Sequence, residues 1–397
     1  MDRRRHVTLG FERIEALLEA IGHPEREIHG IVQVVGTNGK GTTALALAGA
    51  LDEMGRPSGA YLSPHVLSYT ERVVLRGRQA SEEEFASTMG KTIELADKHG
   101  IPVSQFEILT AGALRMFAEA DLSWAILEAG LGARYDATSV ARPDAVVLTN
   151  VALDHTEYLG DTIEEIAEEK LASLRGGTTL FLGTDEGRVV GLARSACRRL
   201  GVDLVEVAGV ENTSTAGLAP YAARDLDLGL AVAASLLETD LPEEVEEKVA
   251  LGLRKALPGR FEEREVDGVP VVLDGGHNAA GVSAVLEAVR EAYPERPLGV
   301  VFGVLREKDV AGMLSGFAGE AHVIVLTRPE GERASDPAQV GREHDLRDRE
   351  ERRAWVVPDP VEALDVATGA MKDVAGVVLV TGSLSTVAPV LRWLREA

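Results

Sequence analysis

One stretch decides the fold: Gly36-Thr37-Asn38-Gly39-Lys40-Gly41-Thr42 follows the apolar run 31–35 and precedes the alanine- and leucine-rich segment 43–48. This order predicts a buried strand, a glycine-rich turn and a helix start, where backbone N–H groups and the helix dipole attract an anion. Lys40 is placed to reach terminal phosphates, and the Thr42 hydroxyl to ligate magnesium. The common phosphate-loop spacing is not met, because Gly41 separates Lys40 from Thr42. We interpret the stretch as a nucleotide-binding loop rather than an ordinary tight turn.

The composition limits the class of protein. A chain of 397 residues with 45% hydrophobic content is long enough for two domains. The formal charge of −23 argues against a nucleic-acid or anionic-membrane partner. Cys197 is the only cysteine, which excludes an internal disulfide and fits a reducing compartment; its apolar neighbours predict a helix-packing residue. No segment approaches transmembrane or signal-peptide length, so we expect a cytoplasmic protein, and a monomer is our default.

Strand-like and helix-like segments alternate along the whole chain, which predicts an α/β fold. We expect an N-terminal P-loop ATPase domain with a mostly parallel sheet flanked by helices, and a smaller C-terminal α/β Rossmann-like domain. A hinge at 258–261, within Leu257-Pro258-Gly259-Arg260, would separate domains 1–257 and 262–397. The predicted strands are 31–35, 124–128, 145–150, 179–182, 269–274, 298–304, 322–327, 354–357 and 377–381. The predicted helices are 42–54, 82–99, 105–119, 162–174, 226–237, 243–253, 279–292, 309–318, 361–371 and 384–396.

Polar residues at the ends of predicted strands are candidate ligand contacts, because ligands of open α/β sheets bind at the carboxyl ends of strands. Glu128 ends one such strand and is placed to coordinate magnesium, or else to cap a turn. His155 follows another strand, and by itself is more often a satisfied surface or core residue. The turn Asp274-Gly275-Gly276-His277-Asn278 is equally compatible with a structural turn and with a nucleotide contact.

Lys170 ends a helical segment in which a lysine would ordinarily pair with a carboxylate one turn earlier. The preceding turn instead offers Ile166 and Ala167, so Lys170 falls on their inward face. A buried lysine needs a partner or a modification. From the spacing alone, a surface lysine remains an equal alternative.

Together these segments resemble the folylpolyglutamate synthase/dihydrofolate synthase family of the Mur ligase superfamily. The resemblance is an ordered series of motifs from Thr8 to Asp309, which covers most of the chain. It comprises 8–14, 36–42, Leu62-Ser63-Pro64-His65-Val66, 69–73, 105–111, 128–138, 153–155, 169–170, 257–260, 274–278 and 308–309.

The resemblance implies roles for the matching residues and a bound cofactor set. ATP and Mg²⁺ are implied, with a second divalent cation or K⁺ as a further expectation. Lys40, His155 and Lys170 are the implied catalytic residues, and Lys170 matches a lysine that this superfamily carbamylates. The implied nucleotide contacts are Asn38, Gly39, Lys40, Gly41, Thr42, Thr43, Arg260, Asp274 and His277. The implied metal ligands are Thr42, Ser63, Glu128 and His155. The implied pterin or folate contacts are Thr8, Leu9, Ser104, Gln105, Phe106, Glu107, Tyr135, Asp136 and Ala137.

The implied activity is ATP-dependent addition of L-glutamate to dihydropteroate or to a reduced folate through an acyl phosphate. Four motifs depart from the family pattern: Ala133 replaces a glycine, Gly276 replaces an alanine, and Asp227 stands at the place of an adenine-side asparagine. In the fourth, Leu171-Ala172-Ser173 follows Lys170 where the family has Ala-Gly-Ile, which weakens the implied carbamylation. A cell-wall precursor ligase is disfavoured by Ser63-Pro64-His65. A nucleotide switch without a ligase step, or a P-loop kinase, are the alternatives from other classes.

Overall fold

The computed structural model describes residues 10–207, 217–317, 319–344, 346 and 353–396. These residues form two compact units. The first consists of the described residues of Met1–Ala152, Thr156–Gly217 and Ala222–Ala256. The second consists of the described residues of Leu153–His155, Leu218–Tyr221 and Leu257–Ala397.

The described part of the first unit is built on an eight-stranded sheet with the order β4-β3-β2-β5-β1-β6-β7-β8. The pairs β2–β3 and β3–β4 are antiparallel, and all the other pairs, including β2–β5, are parallel. Every residue of the central strand β1 is buried, as expected for a parallel strand with both faces covered. The strands are β1 (Gly30–Val35), β2 (Ser58–Tyr61), β3 (Val73–Leu75), β4 (Arg78–Gln79), β5 (Trp124–Glu128), β6 (Ala145–Leu148), β7 (Thr179–Leu182) and β8 (Asp203–Glu206).

Helices flank this sheet. Those described are α1 (Glu12–Ala20), α2 (Lys40–Glu53), α3 (Glu82–Lys98), α4 (Gln105–Glu119), α5 (Thr156–Leu159), α6 (Ile163–Lys170), α7 (Gly187–Leu200), α8 (Pro220–Leu237) and α9 (Glu243–Ala256). One apolar core includes buried residues of α1, α3 and α4, and another includes residues of α6 and α7. Cys197 is buried within α7, as its neighbours predict, and burial raises the pKa of its thiol.

The described part of the second unit has a six-stranded sheet with the order β13-β12-β11-β14-β10-β9, in which only β9 pairs antiparallel. Its strands are β9 (Glu262–Val266), β10 (Val269–Leu273), β11 (Leu298–Phe302), β12 (Ala321–Leu326), β13 (Arg353–Val356) and β14 (Val377–Thr381). Its helices are α10 (Ala279–Ala292), α11 (Val310–Phe317), α12 (Pro337–Glu343), α13 (Pro360–Lys372) and α14 (Leu384–Glu396).

The predicted α/β class and the mostly parallel first sheet are confirmed. Each predicted strand lies within two residues of an observed one, but the prediction missed the edge strands β4, β8 and β9 and the short strands β2 and β3. The three edge strands are mostly polar and partly exposed, and β2 and β3 are only four and three residues long, so none of them has the long apolar run by which buried parallel strands are recognised. No helix within the described ranges is both long enough and apolar enough to cross a membrane.

Candidate nucleotide and ligase site

The turn between β1 and α2 is held in place by residues from the end of β6. The backbone N–H of Asn38 donates to Asn150 Oδ1 at 3.0 Å. In return, Thr149 Oγ1 and Asn150 Nδ2 donate to the carbonyl oxygen of Asn38 at 2.7 and 2.9 Å. Gly39 precedes α2 in the left-handed region, with φ at 83°. The turn is therefore fixed by hydrogen bonds, with the N-terminus of a fourteen-residue helix directly behind it.

Two lysines converge on one carbonyl oxygen of this turn. Lys40 Nζ donates to Gly36 O at 3.2 Å and to Thr37 O at 3.1 Å. Lys170 Nζ, at the end of α6, donates to the same Gly36 oxygen at 2.7 Å. Lys170 is only 4% exposed, which confirms the predicted inward orientation. The turn thus carries the Lys40 ammonium group beside a helix N-terminus, an arrangement that attracts a polyphosphate.

Glu128 and Ser63 lie together beside the start of α2. The backbone N–H of Ser63 donates to Glu128 Oε2 at 2.8 Å. A Cβ built on Gly41 would stand 3.3 Å from the same carboxylate oxygen, so the first turn of α2 adjoins Glu128. Thr42, the next residue, is buried in that turn. Hydroxyl and carboxylate oxygens of this kind are the donors that Mg²⁺ prefers.

A search of the described residues finds no group of three His, Cys, Asp or Glu side chains that could hold a metal ion. The predicted ligand set contains only two residues of those types, Glu128 and His155, and its other members are hydroxyls. The chemistry of Thr42, Ser63 and Glu128 fits an octahedral cation that keeps several water and phosphate oxygens.

Two of the residues that were predicted to contact the pterin or folate cap the N-terminus of α4. Ser104 accepts the N–H of Glu107, and the Glu107 carboxylate accepts the N–H of Ser104 at 2.6 Å, which is a complete capping box. Glu107 is buried and also pairs with Arg13, whose Nη2 lies 3.0 Å from Oε1. Both side chains therefore have structural partners at the helix start.

The neighbouring predicted contacts are arranged differently. Gln105 Nε2 donates to the Tyr69 hydroxyl at 3.0 Å, at an exposed position. The ring of Phe106 packs over Gly130, where a Cβ would lie only 2.7 Å from the ring. Thr8 and Leu9 lie outside the described residues.

The segment after Gly132 contains one exposed ring and one buried carboxylate. Tyr135 is 49% exposed, with its ring centroid 6.5 Å from that of Phe11. Asp136 is buried and accepts the N–H groups of Gly130, Leu131 and Thr138 at 2.9 to 3.0 Å. Burial raises the pKa of Asp136, although these hydrogen bonds act in the opposite direction. Ala137 is buried as well, so Tyr135 is the member of this trio that faces solvent.

In the second unit, Asp274 shapes the turn between β10 and α10. Its Oδ1 accepts the N–H of Gly276 at 2.8 Å, and its Oδ2 accepts the N–H of Phe261 at 2.9 Å and the hydroxyl of Tyr221. A Cβ on Gly275 would lie 2.8 Å from Arg260 Nη1, so Arg260 packs along the same turn. Asn278 caps α10 by accepting the N–H of Gly281, as predicted for a helix start.

Asp154 is the centre of a second polar cluster in this unit. Its Oδ1 accepts from Lys308 Nζ at 2.6 Å, and its Oδ2 accepts from Asn278 Nδ2 at 3.2 Å and lies 3.4 Å from His277 Nε2. Burial alone would raise the pKa of Asp154, but the hydrogen bond and charge of His277 and the charges of Lys308 and His155 lower it well below its usual range.

Lys308 also lies beside His155. Its Nζ is 3.3 Å from His155 Nε2, which is within hydrogen-bonding distance. Sequence reasoning quoted Lys308 only as part of a motif and gave it no role; a lysine directly after a strand-end turn was the available signal.

The first unit also contains a carboxylate contact that sequence reasoning missed. Asp227 was expected at the place of the adenine-side asparagine. Asp225, two residues earlier, is the residue beside the turn: its carboxylate lies where a Cβ of Gly39 would be, and its carbonyl oxygen accepts from Thr43 Oγ1 at 3.1 Å.

A phosphate-type turn on a parallel sheet, together with a second α/β unit that has its own polar turn, is the arrangement of a nucleotide-binding α/β enzyme. Residues 34–176 match the Mur ligase middle domain, and residues 259–384 match the Mur ligase glutamate ligase domain. The chain belongs to the dihydrofolate synthase/folylpolyglutamate synthase family of the Mur ligase superfamily, a family of ATP-dependent ligases.

Individual proteins extend this match over nearly the whole chain. The dihydrofolate synthase/folylpolyglutamate synthase of Escherichia coli K12 is 32% identical over 78% of this chain and 75% of its own length. Mycobacterium tuberculosis folylpolyglutamate synthase complexed with ADP superimposes with a TM-score of 0.88 at 26% identity, covering 100% of this chain and 96% of the other. A bifunctional folylpolyglutamate synthase/dihydrofolate synthase with Mn, AMPPNP and L-glutamate bound gives a TM-score of 0.82 at 30% identity, covering 98% and 95%.

Proposed function

We propose that this protein is an ATP-dependent amide ligase that adds L-glutamate to the carboxylate of a pterin or folate and releases ADP and phosphate. The observation that carries the proposal is the position of Lys40, whose Nζ donates to the Gly36 and Thr37 carbonyl oxygens of a turn at a helix N-terminus. Solved relatives that contain ADP, or Mn with AMPPNP and L-glutamate, support the same nucleotide, metal type and amino acid.

Lys40 and the turn from Asn38 to Thr43 are the proposed contacts of the ATP phosphates. Thr42, Ser63 and Glu128 are the proposed magnesium ligands, with His155 as the fourth; a second divalent cation or K⁺ is part of the same proposal. When bound, Mg²⁺ supplies neutralisation of the phosphate charge. The adjacency of Ser63, Glu128 and the first turn of α2 supports the first three ligands.

Lys170 is proposed to be carbamylated. Its neutral amine nitrogen would attack the carbon of CO₂, form an N–C bond and lose a proton, which leaves a carbamate anion. Burial supports this assignment, because an ammonium group is costly to remove from water whereas a carbamate would offer oxygen ligands to the metal site.

The proposed direct contacts of the pterin ring are Tyr135, Phe106 and Gln105. Tyr135 is exposed, Phe106 packs on Gly130 of the same loop, and Gln105 makes its hydrogen bond to Tyr69 at an exposed position. Four further residues of the proposed set would fix the backbone around that site rather than contact the ring: Ser104, Glu107, Asp136 and Ala137. Thr8 and Leu9 complete the proposed set from the resemblance alone.

The second unit is proposed to be the glutamate-ligase domain, with 1–257 as the ATP-binding domain, 258–261 as the hinge and 262–397 as the second domain. Arg260, Asp274 and His277 are the proposed nucleotide contacts from this part of the chain. A monomer located in the cytoplasm completes the proposal.

The reaction proceeds in two balanced steps. A carboxylate oxygen of the acceptor attacks the γ-phosphorus of ATP, the bond to the bridging oxygen breaks, and ADP leaves. The amine of L-glutamate then attacks the acyl carbon and loses a proton, and phosphate departs with the oxygen that came from the acceptor. Lys40 orients the transferring phosphoryl group and stabilises the charge that develops on it.

The test is ADP formation with ATP, Mg²⁺ and L-glutamate, with dihydropteroate and tetrahydrofolate in separate reactions. We expect glutamate-dependent turnover with at least one acceptor, and the mass of the product identifies the acceptor used. A rate of ADP formation that does not depend on L-glutamate would indicate a nucleotide switch instead. A stable phosphorylated product would indicate a kinase.

A further inference from the structure

Gln33 is a fully buried polar residue in the middle of the central strand β1. It is 0% exposed, and its neighbours across the sheet are Leu127 of β5 and Val146 of β6. Its Nε2 donates to Thr138 Oγ1 at 2.7 Å and to Ser139 Oγ at 2.8 Å. Its Oε1 has no hydrogen-bond partner among the described residues. A buried amide used for its donors alone needs a physical reason, because the unpaired oxygen lowers stability.

The two hydroxyls explain the orientation of the amide. Thr138 Oγ1 gives its own proton to Asp136 Oδ1 at 2.6 Å, and Ser139 Oγ gives its proton to the Ala133 carbonyl oxygen at 2.7 Å. Both hydroxyl oxygens can therefore only accept from Gln33. The reversed amide would direct Oε1 at two oxygens whose protons are already committed, so the donors must face this way.

The hydrogen bonds continue from Gln33 to a loop on the surface of the first unit. Thr138 holds Asp136 Oδ1, and Asp136 Oδ2 accepts the N–H groups of Gly130 and Leu131 at 2.9 and 3.0 Å. This chain of hydrogen bonds, here called the Gln33 relay, joins the strand that carries the phosphate turn to the loop that follows Glu128. Its side chains Gln33, Thr138 and Asp136 are buried, so the hydrogen bonds between them are shielded from water.

Two aromatic rings depend on the position of that loop. Phe106 packs directly on Gly130, and Tyr135, next to Asp136, is held half-exposed near Phe11. We propose that Gln33 is a positioning residue for the ring-binding surface of the acceptor, acting through Thr138 and Asp136 on Gly130 and Tyr135. The proposal rests on the proposed function, in which Phe106 and Tyr135 contact the pterin ring.

The test compares Gln33→Met with Val32→Ala. Methionine keeps the length and apolar volume of the side chain but removes both donors. Val32 is equally buried in β1 but faces the opposite side of the sheet, so its truncation disturbs the strand without touching the relay. Thr138→Val removes the hydroxyl that joins Gln33 to Asp136 and tests the same proposal if Gln33→Met does not fold.

Gln33→Met is expected to raise KM for the acceptor roughly ten- to hundredfold while KM for ATP changes less than about twofold, because small misplacements of a binding surface are costly. Val32→Ala should leave both KM values within about twofold of wild type. Equal rises in both KM values, or no rise, in the relay variant would overturn the proposal.

Hydrogen exchange gives a readout that does not require turnover. The amides of Gly130 and Leu131 should lose protection in the relay variant and keep it in Val32→Ala. Retained protection in Gln33→Met or Thr138→Val would refute the relay. If wild type shows the protection but no glutamate-dependent turnover, the proposed function fails while the relay stands as a structural device only.

Discussion

The turn between β1 and α2 and the turn between β10 and α10 follow the same local pattern of buried strand, glycines and helix start, yet different side-chain groups hold them, lysine nitrogens in the first and a carboxylate in the second. In the first turn, Nζ of Lys40 and Nζ of Lys170 donate to the same backbone carbonyl oxygen. In the second, the carboxylate of Asp274 collects the N–H groups of Gly276 and Phe261. The first turn, with Lys40 at a helix N-terminus, is therefore suited to an anion. In the second turn, the N–H groups of Gly276 and Phe261 already donate to the carboxylate of Asp274.

This difference shows what a strand–glycine–helix pattern can predict. Both patterns place a ligand-facing turn at the carboxyl end of a strand. The pattern does not predict the side chains from distant parts of the chain that complete each turn, such as Lys170 from α6 and Tyr221 beside Asp274.

The largest effect is expected for Lys40→Ala. Removal of the ammonium group should lower kcat at least about 100-fold, because it deletes a charge that stabilises the transferring phosphoryl group. Steady-state ADP formation measures the change. Lys91→Ala, which removes the same charge from an exposed position of α3, is the control and should be indistinguishable from wild type. Near-normal turnover in Lys40→Ala would exclude this turn as the phosphoryl site.

A large effect on the same turn is expected for Gly39→Ala. The residue has φ at 83°, and the new Cβ would lie 2.1 Å from Asp225 Oδ1. We expect a loss of about 1–3 kcal/mol in the free energy of unfolding from backbone strain, and weaker ADP binding because Asp225 must move. Chemical denaturation and ADP titration measure both. Unchanged ADP affinity would mean that the shape of this turn does not matter for the nucleotide.

The smallest effect is expected for Gly276→Ala in the second turn. Gly276 does not adopt a positive φ, and its new Cβ would meet Asp274 Oδ1 and Gly281 at 3.3 to 3.4 Å, a tight but adjustable fit. Alanine is also the residue of the family pattern at this position. The free energy of unfolding should change by less than about 1 kcal/mol. A loss as large as that of Gly39→Ala would show that the two turns are equally constrained.

The sequence was sufficient where the informative residues are neighbours along the chain. The turn 36–42 is recognised by its glycines between an apolar run and a helix. Ile166 and Ala167, within one helical turn, indicated an inward Lys170 as one of two equal alternatives, and the structure confirms that one. The capping role of Ser104 and Glu107 could also have been predicted, because Ser-x-x-Glu before an apolar run is the signature of a capping box. Both residues were assigned as substrate contacts from the resemblance, and this local signal was missed.

The rest of the site depends on contacts between residues far apart in the chain. Lys308 meets Asp154 across 154 positions, and Gln33 meets Thr138 across 105. Nothing in the local sequence around Gln33 distinguishes it from an ordinary strand residue, and only the packed sheet shows that its two donors are both in use. Likewise, Asp225 rather than Asp227 adjoins Gly39 because of how α8 packs on the turn.

The most direct test of the central claim is the fate of an isotopic label in the acceptor carboxylate. With dihydropteroate or tetrahydrofolate carrying ¹⁸O in its carboxylate groups, we predict that glutamate-dependent turnover transfers one labelled oxygen to the phosphate released, because that oxygen attacks the γ-phosphorus and leaves with it. Phosphate that contains no acceptor-derived oxygen would contradict the acyl-phosphate mechanism, and with it the assignment of the turn 36–42 as the site where the acceptor is activated.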